Sequence, residues 1–380
     1  MGLSNELGRD DARTPRELGA TAATVADRSD LAWWKRARVT LAIAVLGSAA
    51  IIGFVLSIVM GSVAIPFDQV FAIITGDEAD RLSWSVIVSE VRLPRAITAT
   101  LAGAALGVAG LQMQTLLRNP LADPFALGIT SGASLGVAIV VLGMTTSIGA
   151  VFGAGLGLAG DAAIAAAAII GALAALAPVL AISARVKNPA TVLIVGLMFG
   201  YAVQAFVTFM VVGSSFEQLQ RWISWGFGSF TGVTWPQLAL FVPLLLVGIA
   251  LAAGSTKQLN ALLLGETYAQ SIGLNARRTR LLILAGASVL AGVVTAFCGP
   301  IAFLGIAIPH IARALTGTSD HRVLVPAVVL AGAALALIAQ IVALVIGRDG
   351  MLPLNAVTSI IGAPIVIFVV LRTRRGAFVG

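Results

Sequence analysis

Charged residues are scarce in this chain of 380 residues. Asp, Glu, Lys and Arg together make up 11% of it, and its mean hydropathy is +1.00. Soluble globular domains average about 25% charged residues. Because 58% of the residues are hydrophobic, a soluble core could not bury the apolar surface, and lipid must be the solvent for most of the chain. The composition therefore excludes a soluble protein and predicts an all-α, multi-pass membrane protein.

Residues that build disulfides and metal centres are also nearly absent. Cys298 is the only cysteine, so no internal disulfide can form. Structural zinc needs about four ligands. Cys298 together with the only two histidines, His310 and His321, gives too few. We expect Cys298 to be a small packing residue. No metal site, cofactor or catalytic residue is predicted.

The chain has no recognisable means of driving transport by itself. A nucleotide-binding P-loop needs lysine after glycine, and none of the three lysines (Lys35, Lys187 and Lys257) follows one. Ion-coupled transporters place acidic or basic groups inside the bilayer, and the apolar runs here have almost none near mid-depth. A paired Asp or a Ser/His couple for intramembrane proteolysis is also missing. The chain is therefore a passive channel or is driven by another subunit.

Apolar runs long enough to cross a membrane follow one another along most of the chain. A helix needs about 20 apolar residues to span the hydrocarbon. Ten candidates are found, at residues 39–62, 96–117, 125–144, 162–183, 190–213, 236–254, 280–298, 300–316, 323–346 and 355–371.

The basic residues fix the orientation. If residues 1–38 are a disordered cytoplasmic tail and the spans alternate, both termini are cytoplasmic, including the C-terminal tail 376–380. Most of the 24 basic residues then lie in cytoplasmic segments. Five lie outside, at Arg81, Arg92, Arg95, Arg221 and Arg348. This asymmetry is the positive-inside pattern of a cytoplasmic-membrane protein. It explains the net charge of +7 by topology, without a nucleic-acid partner.

Two cytoplasmic segments stand out between the spans. Residues 255–280 form the longest inner loop after the tail, and their pattern predicts two short surface helices with a stop at Gly273. This loop is apolar enough to need a protein or lipid partner. The segment 117–124 (LRNPLADP) predicts a turn because it carries two closely spaced prolines.

Several strings in order resemble the FecCD or BtuC-like permeases of importers for iron chelates and cobalamin. They are RLPR (92–95), LRNPLADP (117–124), GITSGASLG (128–136), LGETYAQSIG (264–273), GPIAFLGIAIPHIAR (299–313) and IGAP (361–364). Each string alone is weak, and the six in sequence are specific. The resemblance covers residues 40–375, which places the transmembrane permease domain at 39–375.

This resemblance implies the type II ABC importer fold and its partners. They are a second permease subunit, as homodimer or heterodimer, two cytoplasmic ABC ATPases and an extracytoplasmic substrate-binding protein. The segment 264–273 then resembles the coupling helix that docks on the ATPase, through Leu264, Gly265, Glu266, Ser271 and Gly273.

Further roles are implied for the gate and the outer face. Asn119 and Leu121 resemble the inner constriction of the pathway, and Arg92 and Arg95 resemble docking groups for acidic residues of the binding protein. Near the C-terminus the chain departs from the family pattern, with MLPLN at 351–355 in place of Glu-Leu-Pro-x-Gly. Arg348 is the candidate that replaces the usual arginine there.

The expected function is translocation of an iron(III)–siderophore complex by alternating access, with ATP hydrolysed in a separate subunit. Cobalamin and haem are alternatives, because the binding protein usually sets the substrate. A different class, an ATP-independent channel or secondary transporter, also remains open at this stage, and a membrane enzyme is the weakest alternative.

Overall fold

The computed structural model describes residues 15–77, 79–143, 161–183, 185, 189–347 and 352–377, and these are helices and connecting turns without strands. The helices, numbered along the chain, are α1 (Pro15–Val59), α2 (Phe67–Thr75), α3 (Leu82–Val86), α4 (Leu93–Leu117), α5 (Ile129–Val141), α6 (Asp161–Ser183), α7 (Pro189–Val212), α8 (Phe216–Gly226), α9 (Trp235–Gly254), α10 (Thr256–Leu263), α11 (Glu266–Ser271), α12 (Ala276–Cys298), α13 (Leu304–Thr316), α14 (His321–Ile346) and α15 (Leu354–Ala377).

Each of the ten predicted spans contains one apolar helix. Within the described ranges, seven helices are long and apolar enough to cross a membrane, and three shorter ones lie at Ile129–Val141, Leu304–Thr316 and Leu354–Phe368. A π-helical turn at Ile87–Arg92 joins α3 to α4, so the second span runs unbroken from Leu82 to Leu117.

Three helix boundaries differ from the predicted ones for identifiable reasons. The first helix begins at Pro15, so residues 15–38 are helical where a disordered tail was predicted; this segment is rich in alanine, the best helix former. α5 begins at Ile129 because a 3₁₀ turn, Pro124–Leu127, precedes it. α13 begins at Leu304 because Phe303 adopts a left-handed conformation, with φ of 67°.

Helix α4 is the centre of the molecule. Every residue from Ala102 to Leu116 is buried, and the helix packs against α9, α12, α13 and α14. Its small residues allow this close approach, as is common between helices in lipid. A β-carbon on Gly103 would lie 2.6 Å from the β-carbon of Ala336 and would collide with the carbonyl of Gly332 on α14.

The packing of α4 on α14 predicts the effect of one added methyl group. We expect Gly103→Ala to destabilise the detergent-solubilised protein by about 1–3 kcal/mol, because helices that touch through backbone must separate. The measurement is thermal unfolding.

Gly47→Ala in α1 is the control, since its new β-carbon would have Leu330 Cδ1 as its nearest neighbour at 3.9 Å. Equal melting temperatures for the two variants would contradict the assignment of α4 as the tightly packed centre.

Candidate coupling and gating site

The inner loop 255–280 contains the two short helices that the sequence predicted, α10 and α11. Gly265 separates them with φ of 118°, and Gly273 follows α11 with φ of 88°. Residues with a side chain rarely adopt these conformations, so glycine is required at both turns. The N–H of Leu274 donates to the carbonyl of Ala269 at 3.0 Å, which closes the end of α11.

Glu266, the first residue of α11, is anchored from the membrane side. Its Oε1 lies 2.6 Å from Nη2 of Arg280 on α12, and the exposed fractions of the two side chains are 35% for Glu266 and 10% for Arg280. Ser271 ends the same helix and donates its hydroxyl to the carbonyl of Tyr268 at 2.8 Å. The predicted coupling residues therefore form one rigid turn-helix-turn held against α12.

Several large apolar side chains of this loop are exposed. Leu264 is 66% exposed and Ile272 is 57% exposed, and Leu263 and Tyr268 are exposed beside them. A charged surface would be expected at a membrane edge that meets only water. Contiguous exposed apolar groups instead mark an interaction site.

The predicted gate residues lie in the turn that ends α4. Arg118 closes the helix in a left-handed conformation with φ of 46°. Asn119 accepts from the N–H of Leu121 through its side-chain Oδ1 at 2.9 Å, and Leu121 is exposed. His310 of α13 donates from Nε2 to the carbonyl of Pro120 at 2.8 Å. The side chain of Asn119 thus shapes the turn, and Leu121 is the member that projects from it.

A hydrogen-bond network joins the coupling loop to the gate turn. Asn260 on α10 accepts from the backbone N–H of His321 at 2.9 Å and from its ring Nδ1 at 2.7 Å. The other ring nitrogen lies 2.9 Å from Oγ1 of Thr115, near the end of α4. Arg118 also donates to the carbonyl of Leu262 at 3.5 Å. These contacts connect α10 to the start of α14 and to the C-terminal end of α4.

The same network fixes the start of α14. Asp320 caps that helix by accepting from the N–H of Arg322 at 2.9 Å, and it accepts from the side-chain amide of Asn260 at 2.6 Å. These hydrogen bonds hold the pKa of the Asp320 carboxyl below its usual range. The roles of Asn260 and His321 could not be read from the sequence. The cap could have been, because Asp320 stands directly before an apolar run, which is a helix-capping signal.

The two predicted docking arginines are buried, contrary to their expected exposure. Arg92 is 2% exposed and donates to the carbonyls of Ile58, at 2.9 Å, Val59, at 2.6 Å, and Val63. Arg95, also buried, donates to the carbonyl of Ser57 at 3.4 Å. The carbonyls at a helix C-terminus have no partner within the helix and attract cations. Both guanidinium groups therefore close the outer end of α1, and Arg348 lies outside the described residues.

Asn355, which departs from the family pattern, binds three backbone groups in two segments. Its amide nitrogen donates to the carbonyls of Gly226, at 3.0 Å, and Pro300, at 2.6 Å. Its Oδ1 accepts from the N–H of Ala302 at 2.9 Å. These groups lie where α8 ends and where the chain turns between α12 and α13. An asparagine at this position therefore satisfies backbone groups that lipid could not.

This fold and site define a class: a multi-pass membrane subunit with exposed apolar side chains on a cytoplasmic loop. Polar groups of the same loop are hydrogen-bonded to the inner end of the core helix. The model of the FecCD transport family matches residues 49–372, and the chain belongs to that family. It is a permease subunit of an ATP-binding-cassette importer in the cytoplasmic membrane.

Relatives and a solved structure agree with this assignment. The chain is 38% identical over 290 residues to the vitamin B12 import system permease protein BtuC of Klebsiella pneumoniae, covering 76% of this chain and 83% of that protein. It is 33% identical over 345 residues to the ABC transporter permease protein YvrB of Bacillus subtilis, covering 87% and 95%. A solved structure described as a metal-chelate type ABC transporter in an inward-facing conformation matches with a TM-score of 0.74 and 25% identity, covering 87% of this chain and 98% of that one.

The burial of Arg92 predicts a structural phenotype. We expect Arg92→Gln to lower the stability of the purified permease by about 2 kcal/mol, because charge-assisted bonds to buried carbonyls are each worth about 1.5–3 kcal/mol. Thermal unfolding in detergent, without any binding protein present, measures this loss.

Arg81→Gln is the matched control, because it removes the same charge from an exposed arginine on the same outer side. The guanidinium of Arg81 lies 4.9 Å from the centre of the Trp84 ring. If Arg92→Gln unfolds at the wild-type temperature, the guanidinium is not needed to close α1.

Proposed function

We propose that this permease carries iron(III)–siderophore complexes, delivered by an extracytoplasmic binding protein and driven by two cytoplasmic ATPase subunits. Coupling to the ATPase is inferred from the exposed apolar side chains of α10 and α11. Polar and backbone groups of α10 are hydrogen-bonded to the end of α4 and to the gate turn. Leu264, Gly265, Glu266, Ser271 and Gly273 are the proposed ATPase-contacting segment. Its apolar side chains fit a hydrophobic cleft on a partner subunit.

The proposed mechanism is alternating access. When ATP draws the two ATPase subunits together, the coupling segment moves with them. The movement reaches the end of α4 through Asn260, His321 and Thr115, and it shifts the turn that carries Asn119 and Leu121. Such rigid-body shifts at subunit interfaces are a known way of converting local binding into a distant opening. No covalent chemistry takes place in this chain.

A second permease subunit is the proposed partner within the membrane. Helix α7 exposes several large apolar side chains, among them Met198, Tyr201, Phe206 and Phe209. The exposed apolar side chains of such a helix can contact lipid on one side and a helix of the second subunit on another. The partner is a second copy of this chain or a diverged permease, and the departures from the family pattern around residues 351–355 favour the diverged one.

Docking of the binding protein is proposed at the outer end of α1, with a modified role for the arginines. Arg92 and Arg95 would have to release the carbonyls of α1 before they pair with acidic residues. Docking would then exchange one set of charge-assisted bonds for another, and it would weaken with salt. Arg348 remains a proposed third docking group.

Cobalamin is the second candidate substrate. The BtuC relatives, which import vitamin B12, are 38% identical to this chain. The metal-chelate description of the solved structure fits an iron complex and a cobalamin equally, since cobalamin is a cobalt chelate.

The Glu266–Arg280 pair offers a direct test of the coupling segment. We expect Glu266→Arg to reduce import several-fold in proteoliposomes that contain the complete transporter, because it places two cations together beside α12. ATP hydrolysis should fall less than import, since the variant retains its apolar contact surface. The measurement is the ratio of substrate imported to ATP hydrolysed.

The charge-swapped double variant, Glu266→Arg with Arg280→Glu, separates two explanations. If the pair orients α11, the double variant regains most of the import ratio. Lys35→Ala, at an exposed position of α1 outside the coupling loop, is the control. Wild-type import by the Glu266→Arg single variant would count against the coupling assignment.

A further inference from the structure

A groove of about 700 Å³ lies between the inner ends of α6 and α12, which pack against each other. It is separate from the gate turn and from the exposed apolar side chains of α10 and α11. Leu282 is 64% exposed, so the groove opens to the surroundings of the chain and not to its core. Most of the lining is apolar and comes from Leu180 and Ala181 of α6 and from Leu281, Leu282 and Ala285 of α12.

The groove has the depth of one lipid leaflet. Arg277 lies at the cytoplasmic start of α12, and Ala285 follows it by eight residues, which is about 12 Å along the helix at 1.5 Å per residue. The hydrocarbon of one leaflet is about 15 Å thick, half of the bilayer core. The groove therefore extends from the inner headgroup region through most of the inner leaflet.

Two arginines stand at the cytoplasmic mouth of the groove. Arg277 and Arg278 both line it and are exposed, and Asn275 fixes their turn by accepting from the backbone N–H of Arg278 at 3.0 Å. Arg280, in the same turn, is paired with Glu266. Arg277 and Arg278, by contrast, pair with no carboxylate in the described part of the chain. The mouth of the groove thus carries positive charge that these residues leave without a counter-charge.

A second groove on the inner side, along α1, lacks this combination. Among the described residues that line it, Arg36 carries the charge. The nearby Arg38 is occupied elsewhere, since it donates to the carbonyls of Ala314, at 2.7 Å, and Leu315, at 3.0 Å, at the end of α13. This groove offers one cation on a single helix, whereas the other offers two cations above a cleft between helices. General attraction between a membrane protein and anionic lipid would favour neither groove.

We propose that the groove between α6 and α12 binds an anionic phospholipid of the inner leaflet. Arg277 and Arg278 hold its phosphate by charge-assisted hydrogen bonds, and an acyl chain lies along Leu281, Leu282 and Ala285. Basic pockets between transmembrane helices on the cytoplasmic side bind headgroups of this kind. The inference goes beyond the proposed function, because it depends neither on the substrate nor on the ATPase.

The bound lipid would steady the start of α12. That turn also carries Arg280, whose Nη2 lies 2.6 Å from Oε1 of Glu266 on α11. A ligand that binds only the folded state raises its stability. Binding should therefore raise the melting temperature of the purified permease.

The test uses the full-length permease in detergent and native mass spectrometry, with phosphatidylglycerol and phosphatidylcholine of identical acyl chains as probes. We expect one phosphatidylglycerol to bind more tightly than phosphatidylcholine. Arg277→Gln with Arg278→Gln should weaken phosphatidylglycerol binding about five- to thirtyfold, because each basic residue near the headgroups favours an anionic lipid. Binding of phosphatidylcholine should stay unchanged. Excess inorganic phosphate should not displace the lipid, because it has no acyl chain to fill the groove.

Two further variants separate the groove from general electrostatics. Lys35→Gln with Arg36→Gln is the matched control, since it removes two adjacent, exposed cations from the inner end of α1; phosphatidylglycerol affinity should change less than about twofold. Ala285→Phe keeps both arginines and fills the groove. It should weaken phosphatidylglycerol binding about fourfold or more, as expected when one or more methylene groups lose their buried contact. The melting temperature without added lipid reports whether each variant is folded.

Three results would overturn the proposal. Equal loss of affinity in the two cation pairs would mean general attraction without a site. Displacement by inorganic phosphate would make the arginines a site for a soluble anion. Unchanged phosphatidylglycerol affinity in the variant of Arg277 and Arg278 would remove the lipid site, and if that variant also failed to retain the ATPase subunits in a pull-down, this surface would belong to the ATPase contact.

Discussion

The structure depends on one constraint: backbone groups exposed where a helix breaks inside the bilayer must find partners within the protein. The chain breaks its helices before α5, where Asp123 accepts from the N–H of Phe125 at 3.0 Å, and again after α8 and before α13. Asn355 joins the last two, with hydrogen bonds to Gly226, Pro300 and Ala302. Arg92 does the same at the outer end of α1. Asn355 and Arg92 are thus committed to holding the fold.

The cytoplasmic edge of the molecule is different. There, apolar side chains of α10 and α11 remain exposed, while the polar residues behind them connect α10 to α14 and α4. The arrangement suits a subunit that receives mechanical work and does not generate it. It also explains why the sequence can lack a nucleotide site and acidic groups at mid-depth and still belong to a family of active importers.

Apolar run length was sufficient to locate the seven helices of the described residues that are long enough to cross a membrane and the three shorter apolar ones, because run length follows from the thickness of a bilayer. The turns at Gly265 and Gly273 were predictable because glycine favours the left-handed conformation. The burial of Arg92 was not predictable, since its acceptors lie 29 to 34 positions earlier in the chain and come close only when α1 packs against the second span. Likewise, Asn260 meets His321 across 61 positions. Local pattern does not encode such long-range contacts.

The most direct measurement of the central claim, that this chain moves its substrate only with work received through its cytoplasmic surface, is accumulation in proteoliposomes. The permease would be reconstituted with its binding protein, with and without the ATPase subunits and ATP. The account predicts accumulation against a gradient only when ATPase and ATP are both present. Uphill accumulation by the permease without them would contradict it.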